Sequence, residues 1–256
     1  TQAGVSNLHR SDLWTSEVML TSGRGEVSAR AIAEYAIAAV LFSARGLDEA
    51  ARQKHDGRFT RRGYAMRSIA GSTLGVVGLG GIGREVGRMG QALGMRVVAT
   101  RWSIEQPEED VDGADLVLPA DHLLEVAAQS DFLVVCSQLT EATTGMIDGA
   151  VLGAMPPHGV LVNVARGEEV DEEALLDALR AESIAGAVLD VQAGELEGRP
   201  PRAELLEHPR VLLTPHLSGM GDRPGAEPGR QLVSENLRRH LAGQPLLNVV
   251  DRVRGY

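Results

Sequence analysis

The apolar residues of the chain change period along its length, and that change lays out the elements. From Thr73 onward, short continuous apolar runs recur over residues 74–78, 95–100, 115–118, 132–136, 160–164, 186–191 and 211–214. They read as strands buried on both faces. Between them, apolar positions return at helical spacing over 82–93, 121–129, 148–154 and 171–182. In the first of these Ile82, Val86, Met89 and Leu93 form the stripe, and Gly94 ends it as a C′ glycine. Asp171 is placed to cap the last, with Glu172 and Glu173 in its first turn. Strand and helix in alternation predict an α/β fold, a doubly wound parallel sheet with helices on both faces.

The flanks carry weaker patterns. Ala29 to Arg45 is an Ala-rich helix whose stripe (Ile32, Tyr35, Ala36, Ala39, Val40, Ser43) is broad enough to predict burial between domains or subunits. Residues 46–68 are polar and Arg-rich, a continuing helix and then a loop, and Val18 to Leu20 reads as a short strand. After His216 a Gly/Pro-rich stretch, 218–229, leads to a last helix over 230–242. An extended tail, 245–256, is expected to return to residues 1–28. The opening residues read as the end of a strand running into a glycine loop, Ala3-Gly4-Val5, so the chain is expected to lack most of an N-terminal part. The predicted division is one domain over 29–220, including a linker helix 29–45, and a partial second domain from 1–28 with 221–256.

The first strand and helix meet at Gly78-Leu79-Gly80-Gly81-Ile82-Gly83, a G-x-G-x-x-G turn inside a strand–helix–strand unit, and that context gives the motif its meaning as a dinucleotide site. Gly78 permits the tight turn, Gly80 lets backbone approach a pyrophosphate, and Gly83 lets helix and strand pack closely. The helix N-terminus adds unpaired N–H groups and the positive end of its dipole.

Composition narrows the setting. At 256 residues the chain holds one large or two ordinary domains. Its longest apolar run, Tyr35 to Phe42, is too short to span a bilayer. Cys136 is the only cysteine, which excludes an intrachain disulfide and fits a cytoplasmic location. A net charge of −10 argues against a nucleic-acid partner. Of 25 basic residues only Lys54 is lysine, so a catalytic lysine is confined to that position. No metal site is expected.

In a doubly wound sheet, ligands sit at the carboxyl ends of the strands. Residues 160–164 end in Asn163-Val164-Ala165-Arg166-Gly167; 186–191 carries Asp190, with Glu195 in the following loop; 211–214 ends in Thr214-Pro215-His216. An Arg, an Asp, a Glu and a His thus converge on one rim beside the glycine turn. His216 could exchange a proton near neutral pH, Glu195 could orient it and raise its pKa, and Arg166 could grip a carboxylate bidentately. Each also has a plainer reading: a loop histidine, a solvated acidic loop, and an Arg paired with Glu168, Glu169 or Asp171.

The motifs GLGGIG at 78–83, SDFLVVCSQLTEATTGMID at 130–148, NVARGEEVD at 163–171, AGAVLDV at 185–191 and LLTPHLSG at 212–219 resemble, in order, those of the D-isomer-specific 2-hydroxyacid dehydrogenases. The resemblance runs from about Gly4 to Tyr256. It implies an NAD(P)-dependent oxidoreductase of 2-keto and D-2-hydroxy acids, with remnants of a second, flavodoxin-like substrate domain. It implies that Arg166 binds the substrate's carboxylate and carbonyl, that His216 is the acid/base, and that a glutamate partners it. Gly4 would offer backbone N–H to the substrate carboxylate, and Asp190 would lie beside the nicotinamide. Gly78, Gly80, Gly81, Ile82, Gly83, Thr143, Cys136, Ser137, Val164, Ala165 and Gly219 would line the cofactor. A homodimer is the family expectation.

Two departures bear on the site. Counting forward from Asp190 selects Glu195 as the histidine's partner, whereas counting back from His216 favours Glu197; the shorter tether from the strand favours Glu195. NAD enzymes place an acid at the end of the second strand. Here Thr100, Arg101 and Ser103 stand in that region, and an Arg can pair with a 2′-phosphate, so NADP is expected over NAD. Glu105 reaching the ribose is the alternative. A corepressor-like binding protein of the same fold and a formate- or phosphite-type dehydrogenase are the rival functions.

Overall fold

In a computed structural model, the described residues are 5, 8, 11–23, 27–220 and 226–252, with side chains of 226–228 left out. The strands are β1 (Thr73–Val77), β2 (Arg96–Arg101), β3 (Glu108–Val111), β4 (Ala114–Pro119), β5 (Phe132–Val135), β6 (Val160–Asn163), β7 (Gly186–Leu189) and β8 (Val211–Leu213). The helices are α1 (Asp12–Thr15), α2 (Ala29–Ala44), α3 (Leu47–His55), α4 (Gly81–Ala92), α5 (Leu123–Gln129), α6 (Gly149–Ala154), α7 (Glu172–Arg180), α8 (Ala203–Leu206) and α9 (Ala226–Leu241). One sheet runs in the order β3-β4-β2-β1-β5-β6-β7-β8, parallel except where β3 meets β4.

Continuous burial of β5, β6 and β7 explains their unbroken apolar sequences. Alternate residues feed two cores. Val76, Val134, Val162 and Val188 join Ala36, Val40 and Val86 on one face. Val77, Val135, Leu161 and Ala187 join Val126, Leu152 and Leu175 on the other. The order in which strands are added reverses between β1 and β5, which stay parallel, and that switch point is the crevice where such sheets hold ligands. Register places Val77, Thr100, Val135, Asn163, Leu189 and Leu213 in one row, so the residues just beyond them share a rim.

Several expectations need correction. β3 carries no apolar pattern because it is an exposed, acidic edge strand. Val18 to Leu20 forms no strand; contact there is an isolated bridge from Thr21 to Val249, through which the tail does return to the N-terminal residues. The helix after Ala44 is not continuous, because Gly46 at φ +62 turns the chain before α3. Leu93 is exposed, and α4 instead buries Gly83, Val86, Gly87 and Gly90. The wide face of α2 is consumed within the fold, against α4 and β6. The last helix begins at Ala226 rather than Arg230.

Candidate active site

The glycine turn is built as its spacing requires. Gly78 has φ +92, and a Cβ on it would lie 2.9 Å from Ser137 Cα. Gly83 packs against the strand: a Cβ there would sit 2.3 Å from the Gly78 carbonyl oxygen. Gly80, the N-cap of α4, differs from both, for a Cβ would meet nothing within 4 Å. No side chain caps α4, so its first N–H groups, at Gly81, Ile82 and Gly83, are left without a capping side chain. A helix N-terminus with clear space before it suits a pyrophosphate, so these residues fit a dinucleotide. Thr100 closes the turn from β2: its carbonyl accepts from Gly78 and Leu79 N–H at 3.2 and 2.9 Å.

Arg101 is half-buried as the last residue of β2, followed by exposed Trp102 and Ser103. Cys136 is buried just past β5, and burial pushes its thiol up. Ser137 follows it and donates to the Glu169 carboxylate. Thr143 is tied into a capping box with Thr140, its hydroxyl donating to Gln138 O at 2.7 Å. Val164 and Ala165 are buried, and Gly219 is exposed.

Past β8, the chain is bent sharply at His216, whose φ is +54. Asp190, fully buried at the end of β7, holds that bend. Its backbone oxygen accepts from His216 N–H at 2.8 Å. Oδ1 accepts from the Thr214 hydroxyl and Leu217 N–H, both at 2.7 Å, and Oδ2 from Ser218 N–H at 2.8 Å. Asp190 therefore acts here through the histidine loop. Because the Thr214 proton goes to Asp190, the Tyr35 hydroxyl donates to Thr214 Oγ1 at 2.5 Å, linking α2 to the same loop.

Glu195 Oε1 lies 2.6 Å from His216 Nδ1. Glu197 turns away and pairs with Arg199 at 3.3 Å. The imidazole is 42% exposed and Glu195 15%, so the carboxylate is the more buried partner of a close Nδ1–Oε1 ion-pair contact. The Glu195 contact raises the His216 pKa; burial and the nearby Arg166 charge oppose it. Arg166 follows β6 as the N-cap of a short 3-10 turn, Gly167–Glu169, and donates to Ala165 O at 2.6 Å. Asn163 fixes that corner, with its side-chain amide donating to Arg166 O at 2.9 Å.

Arg166, Glu195 and His216 are thus gathered on one rim, next to the glycine turn. Gly4 lies outside the described residues. Sequence reasoning missed Tyr35 and Thr214 as supports of the histidine loop, although Tyr35 stood on the predicted stripe and Thr214 directly before Pro215-His216. It also missed Glu169, a fully buried carboxyl that burial pushes up to about 7. An acidic pair within NVARGEEVD was the available signal. No cluster of metal-ligating side chains occurs among the described residues. No helix among them is long and apolar enough to cross a membrane.

Residues 37–218 match the D-isomer specific 2-hydroxyacid dehydrogenase, NAD binding domain family. A glyoxylate reductase of Thermococcus onnurineus is 35% identical over 89% of this chain and 68% of its own length. A D-3-phosphoglycerate dehydrogenase of Synechocystis is 33% identical over 86% of this chain, but the chain spans only 38% of that protein. A D-isomer specific 2-hydroxyacid dehydrogenase from Xanthobacter autotrophicus Py2, solved with NADPH and MES, superposes with a TM-score of 0.85 at 33% identity. That alignment covers 100% of this chain and 77% of the solved one. With its glycine turn, its Glu195–His216 pair and its Arg166 corner all within or beside the matched span, the chain belongs to the D-isomer-specific 2-hydroxyacid dehydrogenase family.

Proposed function

We propose that the chain catalyses reversible hydride transfer between NADPH and a 2-keto acid, with Arg166, Glu195 and His216 as its catalytic residues. The observation that carries this reading is the 2.6 Å Glu195–His216 pair at the strand-end rim beside the dinucleotide turn. When bound, the dinucleotide supplies the hydride to the carbonyl carbon, or accepts it in reverse. Arg166 grips the substrate carboxylate and orients the carbonyl. His216, kept charged by Glu195, donates its Nε2 proton to the carbonyl oxygen in reduction; in oxidation the neutral ring takes that proton back. Gly4 is assigned to the substrate carboxylate through its backbone N–H.

The cofactor is assigned to Gly78, Gly80, Gly81, Ile82 and Gly83 for its pyrophosphate and to Thr100, Arg101 and Ser103 for its adenosine end. Cys136, Ser137, Thr143, Val164, Ala165, Asp190 and Gly219 flank the remainder. NADPH is preferred because β2 ends in Arg101, with no acid there to repel a 2′-phosphate. The NADPH complex of the Xanthobacter relative supports the same choice. A homodimer acting in the cytoplasm completes the reading.

The test is a panel of 2-keto acids assayed with NADPH and NADH on the full chain. At least one acid should be reduced with NADPH. His216→Asn should lower that turnover by about 10²–10⁴-fold while dinucleotide affinity stays unchanged. Equal turnover in the variant would overturn the assignment.

A further inference from the structure

Glu195 stands on a 3-10 turn, Glu195–Glu197, launched from Gly194 at φ +82. The turn does little to fix its own first residue, since Glu195 N–H reaches Gln192 O only at 3.4 Å. The constraint comes from outside. Two consecutive N–H groups just before it donate to carboxylates: Ala193 to Glu172 Oε1 at 3.0 Å and Gly194 to Glu168 Oε1 at 2.9 Å. Both acceptors belong to the segment that begins at Arg166. Glu168 lies on the 3-10 turn that Arg166 caps, and Glu172 opens α7. Gly167 lets the two loops touch, for a Cβ there would lie 1.8 Å from the Gln192 carbonyl carbon and 2.2 Å from Ala193 N.

Glu168 is itself held, its backbone oxygen accepting from Gly145 N–H at 2.8 Å. Its Oε2 is buried with no hydrogen-bond partner among the described residues. Gly194 is itself buried, so its N–H needs an acceptor inside the fold, and the other oxygen of Glu168 supplies it. Hydrogen bonds from N–H to a charged acceptor are roughly twice as strong as neutral ones.

We propose that Glu168, with Glu172 beside it, is a positioning residue that fixes Glu195 against His216 and ties it to the turn carrying Arg166. The proposal rests on the hydride-transfer reading above. Its consequence is that the group gripping the substrate carboxylate and the group poising the proton donor form one unit. The spacing between them then stays constant as other parts of the fold move.

Glu168→Ala and Glu168→Gln in the full chain test it, read by the NMR titration of the His216 imidazole and by kcat and KM. The Ala variant should let the His216 pKa fall toward its ordinary value and lower kcat by about ten- to a hundredfold, with KM for NADPH unchanged. Gln keeps an acceptor for Gly194 N–H and should restore most of both. A folded Ala variant with wild-type kcat and wild-type His216 titration would overturn the proposal. So would a Gln variant no better than Ala. If Ala fails to fold, Glu168→Leu, which keeps bulk and removes the acceptor, decides: a lowered His216 titration supports the proposal and a wild-type one overturns it. If no 2-keto acid is reduced by the parent chain, the reaction reading falls, and the His216 titration still decides the positioning claim.

Discussion

His216 occupies φ +54, a region that costs a non-glycine residue about 1–3 kcal/mol, and the surroundings have to over-determine it. Asp190 does so through four acceptor contacts to residues 214–218, and Glu195 then takes the ring's Nδ1. Because the Glu195 contact raises the folded-state pKa, the charged imidazole persists to higher pH, and reduction should fail only as pH rises through that raised value. Glu195→Gln removes the charge, so the alkaline limb of kcat for reduction should move to lower pH; an unmoved limb would show that Glu195 does not poise the ring. Glu169 makes the opposite kind of prediction. Its carboxyl is pushed up to about 7 by burial, so it binds protons more tightly folded than unfolded. Its contribution to stability is therefore greatest below the ordinary carboxyl pKa and is lost as pH rises toward 7. Glu169→Gln should raise thermal stability at pH 8 and leave it unchanged near pH 4.5. The shift corresponds to a difference on the order of 3 kcal/mol. Equal melting curves at pH 8 would contradict that account of the buried carboxyl.

The α4 helix shows how one glycine motif divides into distinct physical duties. Gly83→Ala drives a Cβ to 2.3 Å from a backbone oxygen and should cost folding stability directly. Gly80→Ala meets only open space, so its melting temperature should stay close to the parent's while dinucleotide affinity falls at least tenfold. If Gly80→Ala binds NADPH as the parent does, the space before α4 is not the pyrophosphate site. These roles were legible in sequence because glycine spacing, a buried strand and a helical stripe coincide there. The stripe itself misled at one place. Leu93 is exposed, since α4 approaches the sheet through glycines whose absent side chains leave no hydrophobic signal. β3 was illegible for a related reason: an edge strand of Glu and Asp has backbone pairing but no apolar period. The breadth of α2 signals burial, and its packing on α4 and β6 accounts for that face within the chain, because pattern reports that a face is covered and not by what.

Across the whole molecule, strand-end logic placed Arg166, Glu195 and His216 on one rim, since parallel strands in register align the residues that follow them. What sequence could not supply were contacts between loops. Glu168 to Gly194, Thr214 to Asp190 and Tyr35 to Thr214 join residues far apart in the chain, and no local period encodes them. Cofactor choice is also a property of this scale, because it depends on where the β2 end sits relative to the glycine turn. Arg101→Asp should turn the NADP/NAD preference toward NAD, and an unchanged ratio would remove Arg101 from the 2′-phosphate site. The most direct test of hydride transfer is isotopic. Each 2-keto acid reduced in the panel should be run with NADPH deuterated at the transferable C4 position, and the product examined by NMR. The account predicts deuterium on C2 of a D-2-hydroxy acid; a product with no deuterium at C2, or of L configuration, would contradict it.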